Sequence, residues 1–167
     1  MNCMMWSSLI ENPLIQSPKN GLTIEIKVAG MTESDLCSYL HEVSGDYTPP
    51  LDMIVNLNEY SHKLTALGTL FSAEVGGNVV GILVGYFNNP TLGFAFISQF
   101  HVRKQFRRML IGKMLMDKAV SFASGHGFKA VRLKVNKDND SGLGFYKQYG
   151  FVVLNEDEKQ FELAFNV

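Results

Sequence analysis

Two separated stretches hold residues whose types and spacing could do chemistry. In the first, Phe100-His101-Val102 ends a strand pattern and runs through Arg103, Lys104, Arg107 and Arg108 into a helix expected from Met109 to Ala123. A helix start exposes backbone N–H groups that have no intrahelical acceptor, together with the positive end of the helix dipole, so it attracts a phosphate anion. A strand feeding straight into that start aims the donors at a ligand lying along the strand edge, and the four cations add local positive charge. In the second stretch, Asn139 precedes Tyr146 by seven residues in a short helix expected near 140–149 and closed by Gly150-Phe151. Seven residues make about two turns, so Asn139 and Tyr146 share a face. Each stretch also has a plainer reading. The first could be a solvated basic turn before an ordinary helix, and Tyr146 could be an aromatic packed on a sheet with its hydroxyl satisfied.

The elements that would position these residues follow from periodicity. Residues 1–20 contain Pro13, Pro18 and Asn20 before Gly21 and show no steady period, so they are expected as an irregular lead-in. Residues 21–167 are expected as a single domain. Leu22 to Val28 alternates like a half-buried strand, and Thr32 with Glu33 and Asp35 reads as an N-cap followed by acids in a first turn. Leu36, Leu40 and Val43 stripe that helix, which Gly45 can end. Pro49-Pro50 precedes a second expected helix over 51–65. Strands over about 67–75 and 78–87 meet at Gly76-Gly77-Asn78, a strong hairpin signal, and a third follows over about 93–102. Beyond the long helix, strands are expected over 130–135, 151–155 and 160–166. The order is α+β in character.

Bulk properties exclude several classes. The 167 residues are 46% hydrophobic with a formal net charge of −1, and mean hydropathy is near zero. That describes an ordinary globular chain without the basic excess of a general nucleic-acid or membrane-surface binder. Cys3 and Cys37 are too few and too far apart for a disulfide framework. No apolar run reaches the roughly 18 residues of a membrane span, and the opening segment is a poor secretory signal, so a cytoplasmic protein is expected. His41, His62 and His126 lie on separate elements without metal-ligand spacing, so no metal is expected.

Taken together, the two stretches resemble the Gcn5-related N-acetyltransferase (GNAT) superfamily. Its cradle signature reads Gln or Arg, two residues, Gly, one residue, then Gly or Ala. Arg107 and Gly112 match, Leu110 stands where the first glycine belongs, and Arg108 replaces another frequent glycine. The second cluster is the more specific, with Gly142 where alanine is commoner. The resemblance implies a three-layer fold with a mixed, mostly antiparallel sheet of about seven strands flanked by helices, the acyl-CoA N-acyltransferase fold. It implies acetyl-CoA as co-substrate and direct transfer of an acetyl group to a primary amine of a small molecule, peptide or protein. Arg107, Arg108, Leu110, Ile111, Gly112 and Lys113 would hold the pyrophosphate, with the Leu110 side chain able to turn into the core. Phe100 and Val102 would pair through their backbone with pantetheine, where a bulge splays their strand from Leu133-Lys134-Val135. Asn139 would bond the pantetheine arm or order its loop, and Tyr146 would serve the departing thiolate as acid or hydrogen-bond donor.

A base, where the superfamily uses one, often projects from the same strand at places held here by Phe96 and Ser98. Neither titrates usefully, although Ser98 could order a water. Simple alternation puts His101 on the opposite strand face from Ser98, which a bulge could reverse. Glu59, Tyr60 and His62 could line an acceptor cleft or form a polar outer face. A non-catalytic acyl-CoA-binding or regulatory protein of the same fold is the alternative. No nucleic-acid or membrane partner is expected, and a homodimer is compatible with the sequence.

Overall fold

The computed structural model describes Ile15–Gln16 and residues 21–167. Most of the lead-in expected over 1–20, with Cys3, lies outside the described residues; Ile15–Gln16 forms a two-residue strand, β1. β2 (Thr23–Val28) follows, its alternation placing Ile24 and Ile26 in the core. Thr32 caps α1 (Glu33–Val43) as expected: its hydroxyl accepts from the Asp35 amide at 3.1 Å, and the Asp35 carboxylate accepts in return from the Thr32 amide at 3.2 Å. Gly45 does not simply end that helix, because Ser44–Asp46 continues it as a 3-10 turn.

The continuous helix expected over 51–65 is divided. Leu51–Met53 forms a 3-10 turn, and α2 starts afresh at Leu57–Leu67. Asn56 causes the break. Its side chain accepts from the amides of Asn58 and Glu59, a cap that competes with helix continuation. β3 (Thr69–Val75) and β4 (Asn78–Tyr86) form the expected hairpin, with Gly76 and Gly77 at φ +57° and +80°, as a tight two-residue turn demands. The chain completes itself with β5 (Phe94–Val102), α3 (Ile111–Gly125), β6 (Ala130–Asn136), α4 (Asp140–Tyr149), β7 (Val152–Glu156) and β8 (Gln160–Asn166).

The strands form one sheet in the order β1-β2-β3-β4-β5-β6-β8-β7. Seven long strands and the short β1 edge realise the mixed sheet expected. Every pairing is antiparallel except β5 with β6. One face buries Leu36, Leu40 and Leu64 of α1 and α2 against Ile82 and Val84. The other buries Leu115 and Met116 of α3 and Leu143 of α4 against Phe71, Leu83, Leu133 and Leu163. Three layers result.

Two irregularities in β5 set up the site. Pairing with β6 runs from Phe94–Ala130 to Ile97–Leu133 and stops, although β5 continues to Val102 and β6 to Asn136. The strands therefore diverge and leave residues 98–102 unladdered on that side. Against β4, Val84 faces Gln99 while Gly85 faces Ile97, which makes Ser98 an extra residue, a β-bulge. Ala95 and Ile97 lie in the α3-side core, and Phe100 and Val102 pack against it. Gln99 and His101 instead reach residues of the α1–α2 side.

Candidate cofactor cradle and active site

α3 begins without a cap. Its N-cap residue is Leu110, no side chain among the described residues bonds the first amides, and no acid occupies the first turn. The earliest helical bond is Met114 N to Leu110 O at 2.9 Å. The preceding donors therefore lack an intrahelical partner. Arg108 and Leu110 sit at φ +61° and +65°, a left-handed conformation that costs a non-glycine residue about 1–2 kcal/mol. Left-handed residues beside right-handed ones form the kind of turn in which successive amides can converge on an anion. Gly112 lies where α3 meets Phe100 and Phe145, for a Cβ there would stand 3.3–3.4 Å from their rings.

The start of α3 opens on a cavity of about 1380 Å³ bordered by Phe100, Val102, Arg107, Arg108, Leu110, Gly112, Lys113, Asn139 and Tyr146. Nine sequence-nominated residues thus meet in one place. Ile111 does not present its side chain there; it is buried in the core, which leaves only its amide for a ligand. The Leu110 side chain has not turned into the core. It is 49% exposed and borders the cavity mouth without filling it. The left-handed backbone points it outward.

The four-residue basic patch is divided. Arg103 turns to α1, bonding Glu42 at 2.7 Å and the Val79 carbonyl, with its guanidinium 4.7 Å from the Tyr39 ring. Lys104 and Arg107 meet Asp46 at 2.8 and 3.6 Å. Arg107 also donates to the Val102 carbonyl at 2.9 Å, so that carbonyl is taken by this side chain. Lys113 pairs with Asp117 one turn on.

α4 differs. Asn139 is its N-cap, its side-chain oxygen accepting from Gly142 N at 2.9 Å. Tyr146, two turns along, stacks among Phe100, Phe145 and Phe151. Among the described residues its hydroxyl has no hydrogen-bond partner. Burial pushes the phenol above the ordinary tyrosine value, so it keeps its proton throughout the neutral range.

Across the divergence lies a polar network on the α1–α2 side. Gln99 Nε2 donates to the Tyr47 hydroxyl, and Tyr60 donates to Gln99 Oε1 at 3.3 Å. The Ser98 hydroxyl stands 3.4 Å from that of Tyr60 and does not border the cavity. His101, 6% exposed, holds Tyr39 on Nδ1 at 2.9 Å and Asp46 on Nε2 at 3.0 Å. The bulge has brought Ser98 and His101 to the same side. Burial pushes the imidazole below the ordinary histidine value; Asp46 opposes this, and Arg107 and Arg103 reinforce it. Burial alone would raise the Asp46 carboxyl, but hydrogen bonds from Lys104 and His101 hold it below the ordinary carboxylate value. Of the acceptor-cleft candidates, only Tyr60 approaches this network; His62 pairs with Glu33, and Glu59 is exposed. Asp46 and Tyr47 border the cavity and were not nominated. Their segment reads in sequence only as a helix end followed by Pro49-Pro50.

Residues 32–151 match the Acetyltransferase (GNAT) family. The chain is a GNAT acetyltransferase family member. Solved structures agree in fold. PaiA N-acetyltransferase from Thermoplasma acidophilum, in complex with coenzyme A, superposes with a TM-score of 0.69 at 17% identity, over 85% of this chain and 99% of that one. Ard1 from Thermoplasma volcanium gives 0.66 at 26% identity, over 85% and 97%. The ribosomal-protein alanine N-acetyltransferase from Escherichia coli gives 0.68 at 14% identity, over 85% and 94%. No curated protein matches the sequence. For a GNAT member the two replaced glycines lose their strangeness: Arg108 and Leu110 keep the left-handed backbone that glycine would adopt freely. Among the described residues no helix is long and apolar enough to cross a membrane, and no three metal-ligating side chains gather.

Proposed function

We propose that this chain is an acetyl-CoA-dependent N-acetyltransferase working by direct transfer to a primary amine. The observation that carries the reading is the start of α3, uncapped among the described residues and preceded by left-handed Arg108 and Leu110, which opens on the same cavity as Tyr146. The residues fit such a co-substrate. The amides of 108–113 with Arg107 and Arg108 suit a pyrophosphate, and the unladdered edge of β5 suits the amides of pantetheine through Phe100 and, its carbonyl being held by Arg107, the amide of Val102. The cavity exceeds the roughly 300–1,000 Å³ of an ordinary small-molecule site and leaves room for an acceptor. Bound acetyl-CoA supplies an activated thioester. Tyr146 then stands ready to protonate or hydrogen-bond the departing sulfur, and burial keeps it protonated for that task. Ser98 stands off the cavity behind Tyr60, so a water it orders would drain the amine proton only through the Tyr60–Gln99–Tyr47 network, which meets the cavity at Tyr47. Among the described residues no cysteine borders the cavity, in keeping with transfer without a covalent acetyl-enzyme.

Nitrogen as the acceptor atom is supported by similar structures named as N-acetyltransferases. On the α1–α2 side the wall is formed by Asp46, Tyr47, Thr48, Pro49 and Ile54, and its one carboxylate is engaged by His101, Lys104 and Arg107, so a polycationic acceptor has little to hold it there. A peptide amine and a small-molecule amine both suit that wall. Calorimetric titration with coenzyme A is expected to show one site per chain. An amine panel read by free-thiol release should then give acetyl-CoA-dependent turnover. A chain that binds without releasing thiol from any amine is instead the non-catalytic acyl-CoA-binding protein, a reading favoured by the lack of a carboxylate at Phe96 and Ser98. Failure to bind coenzyme A defeats both.

A further inference from the structure

Asp46 occupies a place where an anion-binding cavity should disfavour a carboxylate. It borders the cavity beside Arg107, and its oxygens meet His101 Nε2 at 3.0 Å, Lys104 Nζ at 2.8 Å and the Arg107 guanidinium at 3.6 Å. Left unbalanced, it would repel a pyrophosphate at the start of α3. The cations balancing it are loosely held, since the side chains of Lys104 and Arg107 are 64% and 45% exposed. Exposed pairs of this kind contribute little and exchange readily. A pyrophosphate offers Arg107 a stronger, multiply charged partner. His101 is different, because it is buried and cannot leave.

Resting on the reading of the cradle above, we infer that Asp46 is a positioning residue coupling co-substrate binding to His101. Arg107 passes from Asp46 to the pyrophosphate, and His101 takes a proton from solvent to keep Asp46 balanced. The relay is built for both states. In the neutral imidazole, Nε2–H donates to Asp46 and Nδ1 accepts from Tyr39. After protonation Nδ1–H donates, and the Tyr39 hydroxyl turns to accept. No bond between heavy atoms forms or breaks, and the proton comes from buffer and rests on Nδ1.

The charged neighbours of His101 pull in opposite directions: Asp46 favours its proton, and Arg107 and Arg103 oppose it. Tyr39 faces it from α1, with Glu42 offsetting Arg103; Asp46 and Tyr47 face it from the segment before α2; Arg103 and Arg107 act from beyond β5. Drawing Arg107 away removes a repelling cation and strengthens the pull of Asp46, so the imidazole of the complex holds its proton to higher pH than that of the free chain. Affinity therefore rises as pH falls through the window between those two values, and is flat above it.

The test uses dephospho-coenzyme A, which lacks the 3′-phosphate that would titrate near the same pH (about 6). Calorimetry between pH 5 and 8, in buffers of unlike ionisation enthalpy, should show the native chain taking up a fraction of a proton toward the acid end, because burial sets the free imidazole below the ordinary histidine value. Affinity should rise by up to about tenfold for each unit of displacement. His101→Gln should abolish both effects. Asp46→Asn should abolish the uptake and bind at least about threefold tighter at pH 8, because the competing anion is gone. Weaker binding by Asp46→Asn, or uptake that persists in His101→Gln, overturns the proposal. A measurement on the native chain alone guards against misfolded variants. The NMR titration midpoint of the His101 ring should move up when dephospho-coenzyme A is added, and an unmoved midpoint overturns the coupling. Binding without proton uptake sinks this proposal only, whereas no binding sinks the cradle as well.

Discussion

The starts of α3 and α4 border the same cavity and are built in opposite ways. At α4 the Asn139 side chain holds Gly142 N, and Asp140 sits in the first turn, complementing the dipole. At α3 neither device is present, and two residues are strained besides. One start is finished internally and so holds its helix, with Tyr146, in a fixed place. The other is left incomplete, with donors that only something outside the chain can satisfy. A fold of this kind concentrates stability where a side chain must stay still and forgoes it where a ligand must enter.

The contrast can be broken or sharpened by substitution. The largest effect is expected at the tip of the finished helix. Tyr146→Phe should lower kcat by about 10²-fold or more while leaving coenzyme A affinity within a factor of about two, measured by steady-state thiol release and calorimetry. Next comes an attempt to make α3 resemble α4: Leu110→Asp puts a carboxylate among the free amides and should weaken coenzyme A binding by at least about tenfold. Asn139→Ala should do the reverse, destabilising the fold by about 1 kcal/mol in chemical denaturation with coenzyme A affinity retained. A large loss of affinity there would show that Asn139 touches pantetheine rather than merely ordering its loop. The smallest effect belongs to Leu110→Gly. Removal of left-handed strain outweighs the added freedom of the unfolded chain, for a net stabilisation of about 0.5 kcal/mol and unchanged affinity. A lower melting temperature for Leu110→Gly would mean that the isobutyl group makes contacts worth more than the strain.

Much of this was legible in the sequence because it is local. The Thr32 cap, the Gly76-Gly77 turn and the two-turn spacing of Asn139 and Tyr146 depend on neighbours a few residues away, and each stands where the pattern puts it. What was not legible depends on residues distant in the chain. Nothing near Arg103 and Arg107 announces that Glu42 will draw one to α1 while Asp46 holds the other at the cavity. The division of the helix expected over 51–65 was within reach, since Asn56 carries a capping preference, but the apolar stripe through Leu57 and Leu64 masked it. The outward turn of Leu110 follows from a backbone dihedral that a leucine seldom adopts, so residue type argued for the wrong side.

Ser98 makes β5 a sentence read in two frames. Before it, odd-numbered residues belong to the α3 layer; after it, even-numbered ones do. Removing that single residue would straighten the strand and leave every later side chain on its present side. Drawing Ser98 into a regular ladder at unchanged length would instead send the His101 ring toward α4 and carry Phe100 into the polar company of Tyr39 and Tyr47, exchanging the furniture of the two half-sites at one stroke. Substitutions at 98 alter one side chain, but whether the strand bulges there decides which side of the sheet every later residue serves.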